Sequence, residues 1–362
     1  MAITRLLVNR AKIAECRISE LPVRALAEGE VLVRVGEFAL TANNISYALS
    51  GDMIGYWKFF PEDDQWGIVP VWGFGEIIDS RCPEIAIGTG FWGFLPMASH
   101  VVMSPVQITK EGFIDGAEHR ASLPPVYNQY TLTAGDSAEL SAAADARSLL
   151  FPLFTTSYLI ADYMHDNAMF GAKQVIIGSA SSKTGFGTAH YLHELPNPPT
   201  VVGLTSPGNT DFVRSMGLFD TVIGYDAIAS LDPSVPTAFV DMSGAGPIIA
   251  AVHNHFGANI VSSIVVGATH WDAPRNREAL PGAAPAFFFA PGQMMKRDAE
   301  WGQGEWLRRA TAGNLQFVTR LHDVITIRHH HGAEAVAARY RDMALNRTPP
   351  TEGLILSFGK AA

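Results

Sequence analysis

Between Val175 and Gly187 the chain reads VIIGSASSKTGFG. Glycine lets backbone approach a bound group closely, and the N–H groups at a helix start attract negative charge. Ser179, Ser181, Ser182, Lys183 and Thr184 add hydroxyls and a cation, and Gly185, Phe186 and Gly187 follow directly. This is chemistry suited to a pyrophosphate. An apolar run precedes the loop and a helical pattern follows it, the context that a dinucleotide fingerprint requires. The loop departs from G-x-G-x-x-G in being longer, with serines and Lys183 in place of glycines. The string SSKTG also invites a P-loop reading, which fails because Walker A needs Gly immediately before the Lys and Ser182 stands there. A serine-rich turn holding no ligand is the competing interpretation.

The next strand-like run ends in Leu204-Thr205-Ser206-Pro207-Gly208-Asn209. An NAD-specific site expects a carboxylate there, to bond the ribose 2′-hydroxyl, and none is present. Ser206, with Lys183 and Tyr225, could instead receive a 2′-phosphate. The cofactor expected from these residues is NADP(H).

Histidines are the other conspicuous groups. His329, His330 and His331 are consecutive, so on a strand they cannot all face one ion, although His329 and His331 share a face. No third ligand stands at a recognisable spacing, so no metal site is expected there. His253 and His255, two apart in a helical segment, fall on different faces. Lys296 and Arg297 could bind a carboxylate or a cofactor phosphate, or form a solvated face.

These groups need elements to hold them. The 362 residues suffice for two domains, 48% are apolar and only 17% charged, which excludes disorder. A net charge of -9 gives no electrostatic case for nucleic acid or anionic lipid. The N-terminus lacks an unbroken apolar segment of the signal-peptide kind, and no apolar run is long enough to span a membrane, so the expected compartment is the cytoplasm. Cys16 and Cys82 are read as two reduced thiols, with a single bridge between them as the alternative.

The first third is β-rich. Glu30–Phe38 alternates as a half-buried strand should, and Val69–Ile78, Gly90–Phe94 and Val101–Val106 read as further strands of a compact barrel. From Leu149 the pattern changes. Phe151–His165 is helical, and Lys173–Gly178, Thr200–Leu204, Thr221–Gly224, Thr237–Asp241 and Asn259–Val266 are strands. Helices at Thr184–Leu195, Asp211–Gly217 and Ile248–Phe256 alternate with them, which predicts a parallel sheet with crossover helices. Residues 271–316 read as less regular, with strands at 321–328 and 354–358 around a helix at Ala333–Ala344.

This order of parts resembles the medium-chain dehydrogenase/reductase superfamily, specifically its zinc-free, quinone-oxidoreductase-like branch. EVLVRV at Glu30–Val35 followed by ALTANNISYALSG at Ala39–Gly51, VWGFGEIIDS at Val71–Ser80, GFWGFL at Gly90–Leu95, the Val175–Gly187 loop and FVDMSG at Phe239–Gly244 carry the resemblance. The strings YWKFFP, PVWGFGE, SASSKTG and FFFAPGQ are similar to an uncharacterised family within it. The resemblance implies an α/β protein with a GroES-like β-barrel domain (1–148, completed by 321–362) and a Rossmann doubly wound parallel-sheet domain (149–320). It implies a homodimer, and cofactor contacts at Ser243, Gly267 and Phe289. Phe287–Pro291 resembles the strand that meets the carboxamide and borders the dimer interface.

The superfamily's zinc-dependent branch carries a Cys in its first catalytic loop and a His in G-H-E. Here the loop is Ala39–Asn44 and the motif is Gly73-Phe74-Gly75-Glu76, so no zinc is expected. By resemblance, Asn43, Asn44 and Tyr47 lie in that first loop. Tyr56, Trp57 and Lys58 could wall a pocket, and Tyr127, Asn128 and Tyr130 stand beside the expected cleft. A phenol suits proton donation to an alkoxide or enolate, and Tyr47 and Tyr130, with Asn44, are the catalytic candidates. Packing is the competing role for each aromatic. The expected function is an NADPH-dependent reductase of a carbonyl or activated C=C bond in a small apolar or aromatic molecule. A non-reductive enzyme, lyase-like or hydrolytic, and a nucleotide-binding protein of reductase ancestry are the alternatives.

Overall fold

The computed structural model describes residues 1–266, 280–321 and 323–359. The chain forms two compact units, one from Met1–Pro152 with Ile325–Ala362 and one from Leu153–Val324.

The second unit is built on a six-stranded parallel sheet. Across it run Thr221–Gly224, Thr200–Thr205, Gln174–Gly178, Thr237–Asp241, Ile260–Val265 and Ala286–Phe287. Numbered along the chain, that order is 3-2-1-4-5-6, the doubly wound Rossmann order. The pattern of the sequence explains the placement. QVIIG at 174–178 and TAFVD at 237–241 are buried throughout, as strands covered on both faces must be. Gln174–Gly178 pairs with Thr200–Thr205 on one side and Thr237–Asp241 on the other. Strand order reverses at this centre, and ligands of such sheets bind beyond the carboxyl ends of the strands there.

Two regions depart from expectation. Residues 290–301 and 305–320 are helices, not irregular chain. Pro291 opens the first of them, where its fixed φ and missing N–H fit. Their faces are polar enough to hide the helical period. The strand expected at Phe287–Pro291 is only Ala286–Phe287, and the chain turns into helix at Ala290.

The first unit holds a nine-stranded and a three-stranded sheet among the described residues. The strand Val31–Leu40 lies between Glu352–Ser357 and Pro70–Ser80 and also pairs with His100–Met103. It is more buried than alternation suggests, with Arg34 its one exposed residue. The single strand expected at Val101–Val106 is broken into His100–Met103 and Pro105–Val106. A hairpin of Ala2–Asn9 with Cys16–Pro22 precedes these strands. The core gathers Leu6, Val33, Phe38, Phe91, Phe94 and Leu356, and the helix Ala333–Ala344 adds Val336 and Tyr340. Among the described residues no helix is long and apolar enough to cross a membrane.

Candidate functional site

The loop after Gln174–Gly178 is held by its own serines. Ser182 caps the helix Lys183–His193, its hydroxyl accepting from the Gly185 N–H at 3.1 Å. The Ser181 hydroxyl oxygen accepts from Thr205 at 3.3 Å and from the Asn209 amide at 3.2 Å. Ser179 shares a hydrogen bond with the Tyr225 hydroxyl at 3.2 Å. Ser179 has φ +54°, the left-handed region that usually selects glycine. Ser206 starts the turn Pro207–Asn209, and its carbonyl accepts from the Asn209 N–H at 2.9 Å. Ser179, Ser181, Ser182, Ser206 and Tyr225 therefore gather at the carboxyl ends of three adjacent strands.

At two glycines the backbone packs too closely to admit a side chain. A Cβ at Gly185 would lie 2.7 Å from the Ser179 carbonyl and 2.9 Å from the Ser182 hydroxyl. One at Gly178 would lie 2.9 Å from an Asp241 carboxylate oxygen. Asp241 is buried and orders the neighbouring loop. Its carboxylate accepts from the Ser243 hydroxyl at 3.0 Å and from the Gly244 N–H at 2.5 Å. Sequence reasoning had passed over Asp241, Thr205 and Asn209 as individual residues. Their roles rest on contacts 24 or more residues away or on a local turn, and an aspartate two residues before a serine in a glycine loop is the one signal that was legible.

Several expected contacts take other roles. Phe186 is fully buried, 5.9 Å from the Phe154 ring and 6.4 Å from Phe317, so its side chain belongs to the core. Gly187 serves helix packing, since a Cβ there would lie 2.6 Å from the Ser157 hydroxyl. The Thr184 carbonyl accepts from Ser157 and Thr188. Lys183 is the first residue of the helix and half-buried. Phe289 lies half exposed before the helix Ala290–Trp301. Gly267 lies outside the described residues. Arg297 is buried in ion pairs with Asp162 at 2.7 Å, Asp166 at 3.1 Å and Glu300, and Lys296 pairs with Asp166, so neither stands ready for a phosphate. His253 is buried between the Pro281 carbonyl at 2.8 Å and Ser263 at 2.9 Å.

The first unit brings Tyr47, Tyr56 and Tyr127 into one aromatic cluster. Tyr47 stands on the helix Ala42–Leu49 with its ring centre 4.3 Å from Tyr56, and Tyr127 lies 4.6 Å from Phe94. The Tyr56 and Tyr127 hydroxyls share a hydrogen bond at 3.0 Å, and the Trp72 indole donates to Tyr47 at 3.4 Å. Tyr47 and Tyr56 are buried, while Tyr127 and Trp72 are half-buried. Burial pushes all three phenols above their ordinary range, with neighbouring tyrosines adding to it, so they are neutral donors near pH 7.

The other two catalytic candidates are corrected. Tyr130 is 1% exposed and spends its hydroxyl inside the protein, donating to the Phe94 carbonyl at 2.6 Å and accepting from Arg120 at 2.8 Å. Burial raises its phenol to about 12. Asn44 is a helix cap: its amide oxygen accepts from the Thr41 N–H at 2.7 Å, and its amide nitrogen donates to the Pro70 carbonyl at 2.9 Å. The segment read as a catalytic loop is thus the start of a helix.

A largely antiparallel β unit, followed along the chain by a parallel sheet of this order with a glycine loop at its centre, matches the GroES-like plus Rossmann architecture of the medium-chain dehydrogenase/reductase fold. The chain belongs to the family described as Protein of unknown function (DUF2855), whose model matches residues 38–349. Among solved structures it is similar to CurA from Vibrio vulnificus in complex with NADPH, at 10% identity over 99% of this chain and 100% of that one, with a TM-score of 0.62. It is also similar to the yhdH oxidoreductase from Salmonella enterica in complex with NADP, at 15% identity over 99% of both chains and a TM-score of 0.55. A third likeness is to an Etr1p mutant in complex with NADP and crotonyl-CoA, at 11% identity over 99% of both chains and a TM-score of 0.57. No curated protein matches the sequence.

Proposed function

We propose that this protein is an NADP(H)-dependent, zinc-independent oxidoreductase that reduces a carbonyl or an activated C=C bond in a small, apolar or aromatic molecule. One observation carries the reading. The loop at the centre of the sheet leads into a helix N-terminus and packs so closely that neither Gly178 nor Gly185 admits a Cβ, and the strand beside it ends in Thr205-Ser206 with no carboxylate. The residues present fit the pyrophosphate and 2′-phosphate of NADPH. Ser182 and the first turn of its helix would take the pyrophosphate, and Ser206, Tyr225 and Lys183 the 2′-phosphate. Ser243, held by Asp241, would position the ribose of the nicotinamide half. The bound cofactor would supply the hydride. Within the first unit, the hydrogen-bonded Tyr56 and Tyr127 hydroxyls are phenol donors of the kind that protonates a reduced substrate, and the aromatic side chains around them suit an apolar one.

Independence from zinc is supported by the residues at the two ligand positions. Gly73 lies against Phe38, Glu76 is paired with Arg34 at 2.5 Å, and Ala39–Asn44 contains no thiol or imidazole. The two cysteines are free thiols, which suits a cytoplasmic protein. The edge strand Ala286–Phe287, with Phe287 and Phe289 exposed, supports a homodimer formed along that edge. Three of the solved structures it resembles hold NADPH or NADP, and one of those holds an enoyl thioester as well.

A fluorescence titration with NADPH and NADH tests the reading. Micromolar binding of NADPH, at least tenfold tighter than NADH, is expected. Binding of neither below millimolar would overturn it. Tight NADPH binding without oxidation across a panel of enones, aldehydes and quinones would retain the cofactor site and favour a non-reductive use of it.

A further inference from the structure

The histidine run gains a partner that its spacing does not reveal. The strand Thr326–His331 runs parallel to Glu352–Ser357, with His329 opposite Ile355 and His331 opposite Ser357. Glu352–Ser357 in turn pairs antiparallel with Val31–Leu40, Ile355 opposite Ala39 and Leu356 opposite Phe38. Glu37 is the next residue along that strand, on the row that holds Ser357 and His331. Three strands from opposite ends of the chain thus bring Glu37, His329 and His331 onto one face, within the first unit. One ligand atom from each lies within 4.8 Å of the other two.

We propose that Glu37, His329 and His331 form a site for a divalent transition-metal ion of the zinc class. Glu37 and the Nδ1 of His329 are 2.9 Å apart. The Nε2 of His329 lies 3.0 Å from the Asp145 carboxylate. A metal-bound histidine characteristically donates its second N–H to a carboxylate, which fixes its ring and raises its basicity, and Asp145 is placed to do this. His331 is set in the same way: its Nδ1 lies 2.9 Å from the Ser357 hydroxyl, which orients the ring and leaves Nε2 for the ion. The two imidazoles stand 6.3 Å apart, 27° from parallel.

Two imidazoles and one carboxylate suit Zn²⁺, Co²⁺ or Ni²⁺ better than Ca²⁺ or Mg²⁺, which require oxygen ligands. His329 and Glu37 are 39% and 43% exposed, so the ion has an entry path and keeps water in its remaining positions. Its role is that of a clasp, tying a strand near the C-terminus to one 292 residues earlier in the chain. The site is distinct from the positions of the superfamily's catalytic zinc and does not depend on the reductase reading. Without an ion, His329 bridges Glu37 and Asp145 as an ordinary ion-pair network, and the experiment separates the two.

The full chain, treated with a chelator and dialysed, is titrated with zinc sulfate by calorimetry and with cobalt chloride by visible absorption. One Zn²⁺ per chain at micromolar affinity is expected, with a Co²⁺ visible spectrum shifted and intensified relative to the hexaaqua ion. H331Q should weaken Zn²⁺ at least tenfold. D145N, which touches no metal, should weaken it by about ten- to a hundredfold. Unfolding midpoints of both variants without metal check that they fold. Absence of Zn²⁺ binding below 100 µM (an order-of-magnitude threshold, about 5.5 kcal/mol) overturns the site. Equal affinity in wild type and H331Q does so too, and the wild-type Co²⁺ spectrum decides the matter should the variants misfold.

Discussion

Removing one oxygen from Tyr130 separates a packing role from a catalytic one. The Tyr130→Phe change keeps a ring that stacks on Phe113 at 5.1 Å and leaves two buried partners without a bond, the Phe94 carbonyl and a guanidinium N–H of Arg120. Both sites are closed to water: Tyr130 and Arg120 are each 1% exposed. A buried polar group left unsatisfied costs about 1–3 kcal/mol, and more where it is charged. Arg120 keeps the Asp115 carboxylate at 3.3 Å and the Phe59 carbonyl at 3.3 Å, so the expected total is about 2–4 kcal/mol. Tyr47→Phe is the comparison. Its hydroxyl accepts from Trp72 at a long 3.4 Å and interacts with the neutral Asn43 and Tyr127 side chains, with no charged partner, so the loss should be smaller, about 1 kcal/mol. Urea unfolding followed by the fluorescence of the seven tryptophans measures both. NADPH affinity should be unchanged in each variant. A Tyr130→Phe protein within about 0.5 kcal/mol of wild type, or less destabilised than Tyr47→Phe, would refute the reasoning.

Two further outcomes follow from the second unit. His190 stacks on Phe317 with ring centres 3.8 Å apart, and burial lowers its imidazole from 6.5 to about 4, against a smaller opposing pull from Glu194 and with Arg320 and His193 adding to the lowering. A depressed histidine is neutral when folded, so as pH falls below 6.5 the unfolded chain takes up a proton that the folded one refuses. Stability should fall between pH 6.5 and 4, by about 1 kcal/mol at pH 5 once solvent screening is allowed for. The His190→Phe variant should lose that slope in urea midpoints, and an unchanged slope would assign it elsewhere. Ser206→Asp places a carboxylate where the ribose 2′ position is expected. The NADPH-over-NADH preference should fall at least tenfold in the fluorescence titration, and an unaltered preference would remove Ser206 from the site.

The parallel sheet was legible because its strands are unambiguous to physics. A run such as QVIIG is buried on both faces and bounded by turn residues, so composition alone marks it, and the expected Thr221–Gly224 and Thr237–Asp241 match the observed strands residue for residue. The helices 290–301 and 305–320 were not legible, because they present mostly polar faces and are interrupted by Pro and Gly. The N-terminal hairpin escaped notice for a similar reason: CRISELP carries charges on a strand with no fully buried residue.

The same limit governs the site, and it changes how the loop's departures from the fingerprint should be weighed. Tyr127 and Tyr130 share the string PVYNQY, yet one lies half-buried with its hydroxyl on Tyr56 and the other is sealed against Arg120. Residue type gave both the same chemistry; what each oxygen is bonded to assigns the role, and those partners are 71 and 10 residues away. The serines of the glycine loop obey the same rule. Ser179 takes the left-handed backbone that a glycine would adopt, and its bond to Tyr225 helps offset the cost of doing so. Ser181 and Ser182 use their hydroxyls to fix the loop against Thr205, Asn209 and Gly185. A serine in each of these places does the positional work of the missing glycine by bonding instead of by flexibility. The mismatch to G-x-G-x-x-G is therefore a difference in how the loop is held, and it does not count against a dinucleotide at its centre.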